Sequence, residues 1–302
     1  MKVQILSGAS KKVLAVLNAE PTSTIEELKK LIAKEKPDLY VERQSLRLEP
    51  KGKSLGDSIT LQVLDLKSDC ELYFKDLGPQ IGWTTVFFWE YFGPLLMYLL
   101  CYFRPRLLYG EDASRKMETV VKIAAVCWTV HYVKRILETF FVHRFSHGTM
   151  PIRNLFRNCS YYWMFAFFIG YYINHPLYTP PSLGKLQVHF GLIGFVLSEI
   201  GNFSIHIALR NLRPPGSRER KIPRPTSNPF TLAFDYVSCP NYFYEVYAWI
   251  FFSIMTQCLV AFLFALAGFY QMAVWALQKH RNYRKDFPDY PKQRKAIIPF
   301  LL

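Results

Sequence analysis

Residues 82–103 read GWTTVFFWEYFGPLLMYLLCYF, and this stretch decides the fold class of the chain. Crossing the hydrocarbon core of a bilayer takes about 20 mostly apolar residues of α-helix, a length that this stretch reaches. Five more apolar segments follow, at residues 118–141, 158–175, 187–209, 242–258 and 259–279. The last two form one apolar run, which we expect to break near Thr256 and Gln257 into a tight hairpin. The sequence therefore predicts an all-α, polytopic transmembrane bundle of about six helices.

The positive charge of the chain belongs to its apolar part. The formal net charge is +14, yet residues 1–80 contain 13 Lys and Arg against 12 Asp and Glu, an ordinary soluble balance. The other 24 basic residues flank apolar runs, a pattern that favours a membrane and gives no indication of nucleic-acid binding. The six cysteines are scattered without a CxxC pair, which favours a reduced protein that faces the cytosol.

The first 77 residues have a separate α+β pattern. Residues 2–6 and 13–17 alternate like strands, and residues 44–48 and 71–74 are further strand candidates. The segment from Thr22 to Leu28 offers a capped helix start between them. This order of two strands, one helix and short strands resembles ubiquitin. We therefore predict a cytosolic β-grasp, ubiquitin-like domain over residues 1–77 and a membrane domain over residues 78–302.

The loops between the predicted helices indicate an orientation. Segments 142–157, 210–228 and 279–302 contain 16 Lys and Arg, whereas segments 104–117 and 176–186 contain five. Cytosolic loops carry the excess of basic residues, so the first set is expected in the cytosol. An even number of spans places both termini on that same side, in agreement with the charge count.

Ionisable side chains are costly at bilayer depth, so each one is a candidate functional residue. Within the predicted helices, the candidates are Glu90, Lys134, Arg135, Glu138, Glu199, His206 and Glu245. The alternative is that they pair internally or extend to the interface, which we expect of Lys134, Glu138 and Glu199. Glu90 lies in the middle of its segment, where a carboxyl must be protonated or tightly paired.

Two further features concern phosphates and metals. The basic loop 210–221 could bind lipid headgroups or cradle the phosphates of a nucleotide, and both interpretations stay open. His143 and His147 have a spacing that can bind a metal, but the other histidines occur singly and no metal site is predicted. Neither GxGxxG nor GxxxxGK[ST] occurs, so a nucleotide would have to bind among the membrane helices.

Motifs near the C-terminus carry a resemblance to a known family. Residues 238–246 read SCPNYFYEV, and KHRNY at 279–283, DYP at 289–291 and IIPF at 297–300 follow. These motifs resemble the steroid 5-alpha-reductase family, and with the ubiquitin-like start the whole chain is similar to its very-long-chain enoyl-CoA reductases. The resemblance implies NADPH-dependent reduction of trans-2-enoyl-CoA in the endoplasmic reticulum membrane, the last step of very-long-chain fatty acid elongation, which also serves sphingolipid metabolism.

The resemblance also implies the site residues. Matching motifs give as cofactor-binding residues Arg135, Asn202, Arg210, Arg213, Lys221, Asn241, Glu245, His280, Tyr283 and Arg284. His206 is left out because the steroid-reducing members have an acidic residue there. Glu90 and Tyr132 match a Glu and a Tyr that hold the substrate carbonyl in the steroid enzymes. Tyr242 belongs to the Pro-Asn-Tyr form of the enoyl-CoA members and is the expected proton donor.

Three alternatives remain at this stage. Within the family, the chain could be a steroid or polyprenol reductase. A membrane methyltransferase would share a basic C-terminal site but bind S-adenosylmethionine. A non-catalytic adaptor would use the ubiquitin-like domain to recruit partners and would tolerate replacement of the polar residues in the helices. The expected partners are membrane lipid and the elongase, ketoacyl-CoA reductase and hydroxyacyl-CoA dehydratase of the same cycle.

Overall fold

The computed structural model describes residues 1–66, 70–145, 148–214 and 219–302, which divide into two compact units. One unit contains residues 1–83 and the described part of residues 147–156, and the other contains the rest of the chain. The first unit has a four-stranded sheet made of β1 (Lys2–Ser7), β2 (Val13–Asn18), β3 (Gln44–Arg47) and β4 (Cys70–Asp76). The strand order is β2-β1-β4-β3, with β1 parallel to β4 and the other neighbours antiparallel.

Helix α1 (Ile25–Glu35) covers this sheet and begins at a capping box. The Thr24 hydroxyl accepts from the Glu27 amide at 3.2 Å, and the Glu27 carboxylate accepts from the Thr24 amide at 2.9 Å. Ile25, Leu28 and Ile32 recur at helical spacing and are fully buried against the strands. The predicted strands and the predicted helix start are thus confirmed, and the unit has the strand-rich character expected of a ubiquitin-like domain.

A two-stranded sheet completes the first unit. Strand β5 (Gln80–Gly82) pairs antiparallel with β6 (Thr149–Pro151). The Tyr40 hydroxyl accepts from the Gln80 amide at 2.7 Å and so connects β5 to the larger fold of this unit. Each of these two strands leads directly into a long helix. The pairing therefore fixes the starting points of both helices.

Long helices make up most of the second unit. They are α2 (Trp83–Tyr102), α4 (Thr119–Phe141), α5 (Ile152–Asn174), α6 (Gly184–Asn211), α7 (Pro240–Thr256) and α8 (Leu259–Asp286), and the short α3 (Arg106–Tyr109) follows α2. Their order and position agree with the six predicted apolar segments. Two bounds differ notably: α5 begins six residues earlier than predicted, and α8 continues seven residues further. Apolar segments mark what is buried in lipid or protein, whereas a helix continues through polar residues until its hydrogen bonds end.

Three of these helices are long and apolar enough to cross a membrane by length and composition: α2, α6 and α8. The others fall short for visible reasons. Helix α7 has 17 residues, and α4 contains several charged side chains that include Lys134 and Arg135. Among the residues described, the chain therefore has a mostly helical body with three candidate membrane spans.

The expected hairpin between α7 and α8 is confirmed. Helix α7 ends at Thr256, and Gln257 follows in the left-handed conformation, with φ of 47°. The Cys258 amide donates to the Ser253 carbonyl at 3.3 Å and closes the turn. A residue in this conformation is a common helix terminator. The turn lets α8 begin at Leu259, so the continuous apolar run becomes two antiparallel helices.

Aromatic packing holds the bundle together around Trp128. Its indole stacks on the Tyr98 ring at 4.7 Å and meets the Trp249 ring edge-on at 5.2 Å. The Trp128 indole N–H donates to the Pro94 carbonyl at 3.1 Å. Close backbone approach adds to this packing, because a Cβ on Gly191 of α6 would lie 2.6 Å from the Met255 backbone nitrogen of α7.

Candidate active site

Helices α4, α6 and α7 enclose a buried network of polar side chains. His131 Nδ1 lies 2.7 Å from Glu199 Oε1, and the other ring nitrogen of His131 lies 3.5 Å from Glu245 Oε1. Lys134 Nζ lies 2.8 Å from Glu199 Oε2 and donates to Asn202 Oδ1 at 2.8 Å. Buried charges are tolerated in proteins when they pair in this way. Lys134 and Glu199 therefore pair internally, as expected from the sequence.

Asn202 joins this network to the start of α7. Its amide Nδ2 lies 3.0 Å from the Asn241 carbonyl and 3.2 Å from Glu245 Oε2, and it donates to both. The Trp249 indole donates to Glu245 Oε1 at 3.2 Å. Each Glu245 oxygen thus has a donor, and the network continues into the aromatic core.

Tyr132 lies in that core with its hydroxyl uncommitted. The side chain is 2% exposed, and its ring lies 5.0 Å from Trp128, 5.9 Å from Trp249 and 6.5 Å from Tyr91. Over the part of the chain that the structure describes, this hydroxyl forms no hydrogen bond. The hydroxyl of a buried tyrosine that has no protein partner is available to a ligand.

Arg135 anchors a second polar cluster. Its guanidinium donates to Glu138 Oε2 at 2.7 Å and to the Tyr91 hydroxyl at 2.6 Å, and it lies 4.8 Å from the centre of the Tyr91 ring. His206 Nδ1 lies 3.0 Å from Glu138 Oε1 and 3.2 Å from Arg135 Nη1. Glu138 is 1% exposed and pairs internally, as predicted, with two partners.

Possible metal ligands converge beside this cluster. Ligand atoms of Glu138, His143 and His206 lie within 4.8 Å of one another. The Arg135 guanidinium already bonds to Glu138 and contacts His206, so a cation bound there would face a fixed positive charge. The sequence spacing of His143 and His147, for which no metal site was predicted, cannot be compared with this cluster because His147 lies outside the described residues. The geometry favours an ion-pair cluster at this point of the bundle.

Glu90 is paired across two helices. Asn158 of α5 donates from Nδ2 to Glu90 Oε1 at 2.7 Å, and Glu90 itself is 4% exposed. This fits the expectation that a carboxyl in the middle of an apolar segment is protonated or tightly paired. The bond leaves the second carboxyl oxygen, Oε2, for another partner.

Tyr242 lies in the first turn of α7, which begins at Pro240. Lys279 of α8 donates from Nζ to the Tyr242 hydroxyl oxygen at 3.0 Å. The same Nζ lies 4.8 Å from the ring centre, and the Trp275 ring lies 6.3 Å away. One helix therefore supplies both the cation and the aromatic neighbour that hold this phenol.

A third cluster ties the C-terminal tail to α8. Ser238 Oγ lies 2.6 Å from His280 Nδ1 and 2.6 Å from the Tyr290 hydroxyl. The Tyr283 and Tyr290 rings stack at 5.3 Å with an interplanar angle of 6°. Arg294, 3% exposed, lies 5.3 Å from the Tyr290 ring centre. His280 and Tyr283 thus hold the tail in place.

The remaining cationic candidates lie at the surface. Arg210, Lys221 and Arg284 are exposed, and Arg213 is half-buried, with its carbonyl accepting from Arg144. Lys221 lies 3.4 Å from Glu219. Arg210 and Arg284 form no ion pair with any described residue, so their guanidinium groups are free to bind an anion.

Comparisons with known proteins decide the family. Residues 148–302 match a family described as 3-oxo-5-alpha-steroid 4-dehydrogenase, and residues 1–76 match the TECR, ubiquitin-like domain. The chain is 60% identical to a probable very-long-chain enoyl-CoA reductase of Caenorhabditis elegans, over 93% of this chain and 92% of the relative. This chain belongs to the very-long-chain enoyl-CoA reductase family. A very-long-chain enoyl-CoA reductase of Dictyostelium discoideum is 47% identical over 99% of both chains.

For a member of this family, the structure sorts the residues carried over by motif into several groups. Arg135, Tyr132, Asn202 and Glu245 lie in one contiguous buried region, connected through Tyr91 and Trp249; Asn241 joins it through its carbonyl. Glu90, which follows Trp89 on α2, is bonded separately to Asn158. Tyr242 faces Lys279, and His280 and Tyr283 belong to the tail cluster.

Sequence reasoning missed several partners in this enoyl-CoA reductase. Asn158 donates a hydrogen bond to Glu90, and Lys279 donates one to Tyr242. His131 lies between Glu199 and Glu245. Asn158 carries a signal that could have been used, because an amide within an apolar helix also needs a partner. Lys279 stands in the sequence only as the start of a tail motif. The pairing of two helices cannot be deduced from either motif alone.

Proposed function

We propose that this chain is an NADPH-dependent oxidoreductase that reduces trans-2-enoyl-CoA to saturated acyl-CoA, the last step of very-long-chain fatty acid elongation. The same product would supply sphingolipid metabolism. Besides family membership, one observation of the site carries the proposal. Tyr132 is a buried residue whose hydroxyl has no hydrogen-bond partner among the described residues, in a core region shared with the polar network around Glu245. A reaction that develops negative charge on a carbonyl oxygen requires such a donor.

Glu90 and Tyr132 are proposed to bind the thioester carbonyl. When bound, the reduced nicotinamide supplies a hydride to the β-carbon, and the carbonyl oxygen then carries the charge of an enolate. The Tyr132 hydroxyl can donate to that oxygen, as can a protonated Glu90 carboxyl whose orientation is fixed by Asn158. Removing one such donor in other enzymes costs about two to three orders of magnitude in kcat.

Tyr242 is proposed to complete the reduction by giving its proton to the α-carbon. It is held between Lys279 and Trp275 at the start of α7. It also follows directly after Asn241, whose carbonyl joins the buried polar network. A positioned general acid of this kind contributes about 10² to 10⁴ in rate.

The residues present fit a pyridine nucleotide. Arg210 and Arg284 offer exposed guanidinium groups without ion-pair partners in the described ranges, and these suit phosphate oxygens. Glu245, held by Asn202 and Trp249, keeps further acceptor capacity on its carboxylate that suits the N–H groups of a carboxamide. The excess of basic side chains near the site would favour NADPH over NADH, because NADPH carries one additional phosphate group. The other proposed contacts are Arg135, Arg213, Lys221, Asn241, His280 and Tyr283.

The membrane arrangement is also a proposal. We infer that all six long helices cross the endoplasmic reticulum membrane, with residues 1–77 as a cytosolic domain and residues 78–302 as the catalytic domain. The charge of the loops supports this orientation, with 16 basic residues on one side against five. Accessibility of single introduced cysteines to a membrane-impermeant reagent tests it, and labelling of both termini from the lumen would contradict it.

The proposed partners are the elongase, ketoacyl-CoA reductase and hydroxyacyl-CoA dehydratase of the same cycle. They would deliver a long acyl chain that remains in the membrane while its CoA end changes enzymes. Recovery of at least one of them with the tagged protein in mild detergent is expected. Recovery of none would count against the assembly and leave the reaction itself unaffected.

The direct test of the function is NADPH oxidation by the purified protein in detergent with trans-2-hexadecenoyl-CoA. We expect turnover in the wild type and a fall of about 10² or more in Tyr242→Phe. Turnover retained in Tyr242→Phe would transfer the donor role to Glu90 or Tyr132. No turnover in the wild type, although NADPH binds, would point to a steroid or polyprenol substrate.

A further inference from the structure

Lys279 makes two separate contacts with the phenol of Tyr242. Its ammonium donates to the hydroxyl oxygen at 3.0 Å and lies 4.8 Å from the ring centre. One contact fixes the oxygen, and the other restricts the plane of the ring. The lysine lies 20 residues after the start of α8, one helical turn beyond Trp275, so a single rigid helix supplies both neighbours of the phenol.

Lys279 has no acidic partner to neutralise it among the residues in the described ranges. The titratable groups that act on it are the Tyr242 hydroxyl, the Cys239 thiol and the Tyr283 hydroxyl. Cys239 is 2% exposed, and Tyr283 stacks on Tyr290. Lys279 is exposed, so solvent screens its more distant interactions and its ammonium acts most strongly on the oxygen that it contacts directly.

The amino-terminal end of α7 also favours a negative charge on the Tyr242 oxygen. Pro240 occupies the first turn, and Tyr242 follows two residues later, near the positive end of the helix dipole. A negative charge on the Tyr242 oxygen would therefore meet the ammonium of α8 and the amino-terminal end of α7. Both effects stabilise the phenolate relative to the neutral phenol.

We propose that Lys279 is the positioning residue of the proton donor: it orients Tyr242 and stabilises the phenolate that remains after proton transfer. This inference rests on the proposed function. The O–H bond of Tyr242 breaks, a C–H bond forms at the α-carbon of the enolate, and the electron pair stays on the phenolate oxygen. Lys279 keeps its proton, and a proton from solvent restores the phenol before the next turnover.

Kinetics across pH separate this role from a structural one. A general acid loses activity when it is deprotonated, so the alkaline limb of the kcat profile reports on the donor. In Lys279→Met we expect kcat to fall about tenfold to a hundredfold and the alkaline limb to move to higher pH. Lys279→Arg keeps a cationic donor and should recover part of kcat. Lys285→Met, the matched change in the last turn of the same helix, should resemble wild type.

Two kinetic results would overturn the inference. One is wild-type kcat in Lys279→Met. The other is a lower kcat with the alkaline limb unmoved and no recovery in Lys279→Arg, which is the behaviour of a packing defect.

A second measurement stays valid even if the chain reduces some other substrate. Tyrosine labelled at Cζ gives a magnetic resonance signal for each ring, and the signal missing from Tyr242→Phe identifies Tyr242. Its chemical shift should change in Lys279→Met, which removes the hydrogen bond to the phenol oxygen, and stay in place in Lys285→Met. A signal that stays unchanged in Lys279→Met would contradict the inference, whether or not the protein reduces enoyl-CoA. A signal that changes, in a protein that does not reduce enoyl-CoA, would contradict only the proposed function.

Discussion

Asn158 of α5 donates a 2.7 Å hydrogen bond from Nδ2 to Oε1 of Glu90 on α2. Both helices start directly after the paired strands β5 and β6, and those strands end eight residues before Glu90 and seven before Asn158. At 1.5 Å per residue, these offsets correspond to nearly equal rises of about 11 Å. The two polar side chains thus lie at nearly equal distances along their own helices.

Loss of this bond is expected to affect catalysis through Glu90. Glu90→Gln should lower kcat by about two orders of magnitude, because an amide N–H is a much weaker hydrogen-bond donor to a developing oxyanion than a carboxyl O–H. Asn158→Leu should lower kcat about tenfold, because it leaves Glu90 unoriented. The double variant should be no worse than Glu90→Gln. Fully multiplicative losses in a double-mutant cycle would show that the two residues act independently.

Arg135 is expected to serve stability and cofactor binding at once. Among the described residues, Arg135→Met leaves the buried Glu138 with His206 as its one remaining ion-pair partner, a defect that costs about 3–5 kcal/mol in other proteins. Thermal unfolding in detergent should show a lower Tm, and NADPH titration should show a higher Kd. Adding Glu138→Gln should restore part of the Tm without restoring the Kd. Recovery of NADPH affinity together with Tm would remove Arg135 from the cofactor site.

Gly191 is expected to be essential for the contact between α6 and α7. Gly191→Ala would place a Cβ 2.6 Å from the Met255 backbone, which cannot move without shifting the helix. Overpacking of this kind costs about 1–3 kcal/mol. Gly268→Ala is the matched control, because its nearest neighbour would be 3.6 Å away. Equal Tm values for the two variants in detergent would contradict the close packing.

The ion pair between Arg43 and Asp76 makes the stability of the amino-terminal unit depend on pH. Two hydrogen bonds from the Arg43 guanidinium, at 2.7 and 2.6 Å, lower the pKa of Asp76 below its ordinary value. A carboxyl with a depressed folded-state pKa stabilises the fold above its unfolded pKa, and this stabilisation disappears as the pH falls through the folded pKa. Amide exchange protection of β3 and β4 in the full chain should therefore decline below about pH 4.

Variants distinguish this ion pair from general acid unfolding. Arg43→Met should reduce protection at neutral pH and weaken its dependence on pH. Lys30→Met removes an exposed pair with Glu26 and should change little, because solvent screens such pairs. Equal responses of the two variants would contradict the assigned role of Asp76.

Local patterns predict the elements of this fold well. The alternating residues of β1 and β2, the capping box at Thr24 and the turn at Gln257 all act over a few residues, so the sequence contains their signals directly. Helix α8 is longer than its apolar segment because its last turns are polar. Hydropathy indicates which segments are buried in lipid or protein. It does not indicate at which residue a helix ends.

The site could be predicted only in part, because its contacts join residues far apart in the chain. From their place in apolar helices, Lys134, Glu138 and Glu199 were expected to pair internally or extend to the interface, and in the structure they are paired. Their partners were not predictable, since the choice depends on which helix faces meet. The contact of Lys279 with Tyr242, 37 residues apart, depends on the antiparallel packing of α7 and α8. Helix packing therefore had to be known before the donor's neighbour could be found.

The most direct test of the central claim follows the hydrogen itself. The purified protein is given trans-2-hexadecenoyl-CoA and NADPH that carries deuterium at the transferable position of the nicotinamide. The account predicts saturated hexadecanoyl-CoA with deuterium at the β-carbon and a proton from solvent at the α-carbon, detected by mass spectrometry. Unchanged enoyl-CoA in the presence of bound NADPH, or a saturated product without deuterium, would contradict it.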